Sequence, residues 1–129
     1  MVTSPLVEPY VEDGRRLALH LQRNGFPLQA AYWLYLGDEA QWRLVLSSNV
    51  VDDAGIREAY SRLLGLIPED SAIALGDIRL VGSTDKMSES IQKLATSRQG
   101  PPVVSVSKSM IGGHFVDAVL VYRLPAGSR

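Results

Sequence analysis

The chain has 129 residues, 46% of them apolar and 21% charged, with a formal net charge of −1 and no cysteine. A chain of this size can bury a core without metal or disulfide staples, and its charge balance gives no electrostatic reason to expect nucleic acid or a membrane surface. The lack of cysteine excludes disulfides, thiol nucleophiles and cysteine zinc sites, and no apolar run approaches the roughly 18 residues of a membrane helix.

Residues 1–11 carry Pro5 and Pro9 without a clear period and are expected to form an arm on a single domain spanning 1–129. Acids and prolines stand where a signal peptide needs a basic start and an apolar run, so a soluble, cytoplasmic protein is expected. A first helix is predicted over about Glu12–Asn24, capped by Asp13 and stopped by Asn24-Gly25. Its buried side should hold Leu17, His20, Leu21 and Asn24.

Two strands follow, Ala30–Leu36 and Gln41–Val50, joined by Gly37-Asp38-Glu39-Ala40 as an antiparallel hairpin. A four-residue loop sets Tyr35 and Trp33 beside Trp42 and Leu44, whereas a three-residue loop brings Leu34 and Tyr32 there. The first strand is apolar on both faces, which predicts a central position. Asp52 or Asp53 should cap a helix running to about Leu64, with Ile56, Tyr60, Leu63 and Leu64 inward and Gly65 as its stop. Pro68 to Ala74 reads as loop and Ile78–Val81 as a short strand. Gly82-Ser83-Thr84-Asp85 then opens a third helix to about Ser97, with Met87, Ile91, Leu94 and Ala95 on its buried stripe.

Residues 103–110 and 114–124 make a second hairpin joined by Ile111-Gly112-Gly113, because the Gly-Gly dipeptide supplies the positive φ of a tight turn. This register pairs Lys108 with Asp117, Val106 with Val119, Val104 with Val121 and Met110 with Phe115. The element order is α-β-β-α-β-α-β-β. It predicts an α+β fold with a mainly antiparallel sheet of about five strands and helices packed on one face.

Few side chains carry chemistry. His114 and Asp117 point to opposite faces of one strand, and His20 lies on the apolar side of the first helix. With two histidines, no cysteine and no HxH or HExxH spacing, neither a metal nor a cofactor is predicted. Ser105, Ser107 and Ser109 lack a GxSxG elbow or a placed histidine, and Asp52-Asp53 reads as a cap rather than a cation site. The strand-to-helix junction Gly82–Lys86 is the first place to seek an anion. Ser83 and Thr84 precede the positive helix end and Lys86 adds a charge, although Asp85 can cap the helix itself. Tyr32, Trp33, Tyr35 and Trp42, with Arg43, form an aromatic set, and aromatics left over from the core are what interfaces favour.

Asp13 to Tyr60 resembles a group of small uncharacterised bacterial proteins. The likeness rests on Gly25-Phe26-Pro27, the Ala31-Tyr32-Trp33-Leu34-Tyr35 strand, Trp42-Arg43-Leu44 and the Gly55–Tyr60 helix start, with Tyr122-Arg123-Leu124 similar at the end. The resemblance implies a bacterial source and a single domain, and it carries no activity or site residue. The leading functional expectation is therefore a non-catalytic module for protein interaction or self-association, as a homodimer, through the aromatic sheet. The alternative is a small-molecule or anion-binding protein, or an enzyme, using Ser83, Thr84 and Lys86. Nucleic-acid binding is the least favoured class, since Arg43 alone makes no basic field.

Overall fold

Strand β1, Ala30–Leu36, pairs antiparallel with β2 (Gln41–Ser47) along one edge and with β5 (His114–Tyr122) along the other. Its central place follows from its sequence, because a strand that is apolar on both faces requires cover on both. The computed structural model describes residues 8–36, 41–97, 103–111 and 114–122. One sheet runs in the order β3-β2-β1-β5-β4, where β3 is Ile78–Val81 and β4 is Val103–Ile111. The β2–β3 pairing is parallel and the others are antiparallel, so the α+β fold has a mixed, mostly antiparallel sheet.

The first hairpin takes the register of the four-residue loop, with Trp33 opposite Leu44 and Tyr35 opposite Trp42. In the second, Val104 faces Val121, Val106 faces Val119 and Met110 faces Phe115, as the Gly-Gly turn predicts. Both turns lie outside the described residues.

Helix α1 spans Glu8–Arg23, so residues 8–11 belong to it and not to an arm. Asp13 therefore lies inside the helix and does not cap it. Its carboxylate accepts the Ala72 amide at 2.7 Å and pairs with Arg16 at 3.3 Å, fastening α1 to the loop before β3. Leu17, Ala18 and Leu21 are buried, whereas His20 is half-buried and Asn24 exposed, so the inward stripe is rotated from the expected one. Gly25 leaves the helix at φ 79, a conformation that glycine adopts at little cost. Gly14 has a different duty. A Cβ there would meet the Tyr122 hydroxyl and come within 2.9 Å of Trp33 Nε1, so only glycine lets α1 approach this pair. Trp33 Nε1 donates to the Tyr122 hydroxyl at 2.9 Å, which donates to the Val11 carbonyl at 2.6 Å.

The single helix expected between the second and third strands is two helices, so the predicted element order is not matched. Helix α2 (Asn49–Ala54) is capped by Ser48, not by Asp52 or Asp53. Ser48 Oγ accepts the Val50 amide at 3.1 Å and donates to the Pro27 carbonyl at 2.5 Å, which moves the helix start forward and ends β2 at Ser47. Gly55, at φ 91, separates α2 from α3 (Ile56–Leu66). Ala59 and Leu63 face inward, whereas Ile56 and Leu64 are 48% and 58% exposed, and Gly65 lies within the helix. A 3-10 turn at Leu75–Asp77 precedes β3, and α4 spans Lys86–Ser97.

The helices do not share one face. One core joins Leu17 and Leu21 of α1, Val50 of α2 and Ala59 and Leu63 of α3 to Trp33, Leu44, Leu46 and Leu80 of the sheet. A second core on the opposite face joins Ile91 of α4 to Tyr32, Leu34, Val45, Val119 and Val121. The cause is that alternate residues of β1 are apolar in both directions, so each face needs its own layer. Helix α4 lies along β1, β5 and β4, and its first turn borders the β2–β3 side of its face. Among the described residues no helix is long and apolar enough to cross a membrane.

Candidate ligand-binding cleft

The Gly82–Lys86 junction is built by hydrogen bonds that bring distant residues together. Ser47 Oγ donates to the Gly82 carbonyl at 2.9 Å, and the Ser48 amide donates to the Val81 carbonyl at 3.0 Å, tying the end of β3 to the end of β2. Asp52, exposed on α2, accepts the Ser83 amide at 2.9 Å. Hydrogen bonds from Ser83 hold the Asp52 carboxyl below its ordinary pKa. Asp85 Oδ2 accepts the Ser88 amide at 3.0 Å and the Ser88 hydroxyl at 2.9 Å, a side-chain cap on α4. Two backbone amides that an anion at a helix start would seek, those of Ser83 and Ser88, thus already face carboxylates.

A carboxylate only accepts, so the Ser88 proton points to Asp85 and Ser88 in turn accepts from the Tyr32 hydroxyl, 2.9 Å away. Burial pushes the Tyr32 phenol up to about 12; the Ser88 hydrogen bond lowers it, Asp85 raises it and Arg79 lowers it. Tyr32 is therefore protonated at neutral pH and serves as a donor, not a base.

The Tyr32–Ser88–Asp85 chain lies at the edge of a cleft of about 360 Å³. Leu34, Val45 and Val81 from β1, β2 and β3 provide apolar lining, and Met87 closes it from α4. Arg79 and Lys86, both exposed, stand on its border together with Asp85. On the other side of the first turn of α4 is a more polar cleft of about 320 Å³. Gln29, Ser47, Ser83, Ser88 and Gln92 line it, and Gln92 Oε1 is buried without a hydrogen-bond partner among the described residues. A third hollow of about 300 Å³ lies between α1 and Pro68–Ser71. Its basic lining is partly neutralised, because Arg15 pairs with Glu12 and Arg16 with Asp13.

The residues singled out in the sequence separate in space. Ser83, Thr84 and Lys86 lie together at the junction, with Ser83 half-buried and the other two exposed. Tyr32, Trp33 and Tyr35 are only 1%, 2% and 3% exposed, respectively. Tyr32 belongs to the α4 core and Trp33 to the other, where Tyr10 meets it edge-on at 6.1 Å. Trp42, half-buried, stacks on Tyr35 at 5.3 Å with a 53° tilt. Arg43 donates to the Gly76 carbonyl at 3.3 Å. No aromatic face combining all five residues exists, because alternate strand positions assign them to opposite sides of the sheet.

Arg79 is the cleft residue that sequence reading missed. Its outward position in Ile78–Val81 is legible from alternation, but its place opposite Val45 depends on the parallel register. Among the described residues no three of His, Asp and Glu are grouped to hold a metal. His20 Nδ1 lies 3.2 Å from the Asn24 amide nitrogen, away from the cleft, and the His114 side chain lies outside the described residues. No family model, curated protein or solved structure matches the chain.

Proposed function

We propose that this chain is a non-catalytic binding domain that holds a small molecule in the cleft beside the first turn of α4. The observation that carries the reading is the 360 Å³ hollow itself, whose apolar lining is bordered by exposed cations. Its volume falls at the lower end of the range for ligand pockets, about 300–1,000 Å³. The hydroxyls beside it favour binding over catalysis. Tyr32 keeps its proton, and Asp85, which accepts from Ser88, is committed to capping α4. A cysteine-free composition is consistent with a cytoplasmic location, which is part of this proposal.

A thermal-shift screen of metabolite-sized acids, bases and neutral compounds tests it. At least one class should raise Tm, and Val81→Phe, which fills the cleft from β3, should abolish the gain. No gain with any compound, or an equal gain in Val81→Phe, overturns the proposal.

Association with another protein or a second copy is retained as a second reading because Ile56 and Leu64 are exposed on α3 with Tyr60 half-buried nearby. The support comes from the helical layer and not from the sheet aromatics. Light scattering that shows a dimer, dissociated by Leu64→Glu, would favour it; a monomer at all concentrations would dismiss self-association.

A further inference from the structure

Resting on the small-molecule reading, we infer that the occupant of the α4 cleft is a medium-chain monocarboxylic acid. Val81 and Met87, half-buried, and the edges of the buried Leu34 and Val45 beneath them offer an apolar surface suited to an alkyl or aryl body. Arg79 and Lys86 are exposed on the border, and neither makes an ion pair or hydrogen bond within the described residues. Against the single carboxylate of Asp85, the two cations leave this apolar hollow with an excess of positive charge, on a chain of net charge −1, and so select a ligand with an anionic end.

Asp85 opposes that anion, but it accepts two hydrogen bonds from Ser88 at the positive end of α4, which moderates its field. The same geometry argues against a phosphate group. A phosphate would draw on amides at the helix start, yet those of Ser83 and Ser88 face Asp52 and Asp85. A carboxylate needs no amide cradle, because the Arg79 fork can bind it through two parallel hydrogen bonds. Size sets the length. At roughly 30 Å³ per non-hydrogen atom, 360 Å³ holds about a dozen such atoms, so an acid of about eight to ten carbons, with its two carboxylate oxygens, fits.

Titration calorimetry with hexanoate, octanoate, octanol, octylamine and octyl phosphate tests the assignment. Octanoate should bind about tenfold more tightly than octanol. It should exceed hexanoate by roughly fifteenfold, since each buried methylene contributes about fourfold. The double variant Arg79→Gln/Lys86→Gln should bring octanoate down to the level of octanol and leave octanol unchanged; both positions are exposed, and a circular dichroism spectrum checks folding. Octanol as tight as octanoate, octyl phosphate tighter than octanoate, or octanoate binding unaffected by the double variant overturns the acid assignment. The underlying cleft reading fails separately, if the octanol that binds is not lost in Val81→Phe.

Discussion

At Tyr32 a single hydroxyl joins core, helix cap and cleft. Its proton goes to Ser88, the Ser88 proton goes to Asp85, and burial pushes the phenol up to about 12. The unfolded chain loses that proton near pH 10, whereas the folded chain keeps it. This group's contribution to stability is therefore whole below about pH 10 and is lost as the pH climbs toward the folded value of about 12. We predict that urea stability falls between pH 10 and 12, and that Tyr32→Phe, with no proton to release, falls less steeply over the same interval. Equal slopes for the two proteins would contradict the assignment. The partnership could not be read from the sequence because Tyr32 and Ser88 are 56 residues apart and no local pattern links them.

At the scale of elements, the instructive case is the start of α2. Two aspartates before an apolar stripe make a strong cap signal, yet Ser48 takes the role because its hydroxyl reaches both Val50 and Pro27. Ser48→Ala should cost about 1–2 kcal/mol, since it removes a cap acceptor and leaves the Pro27 carbonyl without that donor. Asp53→Ala, at an exposed position, should stay within about 0.5 kcal/mol. Urea midpoints measured at constant m distinguish them, and similar losses would return the cap to the aspartates.

The same contrast separates what the sequence reveals from what it hides. The central β1 and the pairings Trp33–Leu44 and Val106–Val119 follow from alternation and loop length, both local properties. The face each helix covers is not local. The stripes on α1 and α4 look alike in sequence, and only the path of the chain sends them to opposite sides of the sheet. The two-faced apolar pattern of β1 requires cover on both sides, but it does not say which helix supplies each. For the cleft, the junction residue Lys86 was legible from a strand-glycine-helix pattern. Arg79 was not, because it meets Val45 only through the parallel addition of β3 to β2.

Over the whole molecule, the two layers are unequal. Helices α1, α2 and α3 contribute to one core and α4 to the other, so one side of the sheet is thickly covered and the other more thinly. This asymmetry positions the cleft where β1, β2 and β3 meet the first turn of α4. It also distinguishes that surface from the exposed Ile56 and Leu64, which lie on the thick layer. The most direct test is methyl chemical-shift mapping of the protein titrated with octanoate. Resonances of Leu34, Val45, Val81 and Met87 should move together with one saturation curve, while those of Ile56 and Leu64 stay in place. Movement of Ile56 and Leu64 with the cleft methyls unchanged would contradict the account.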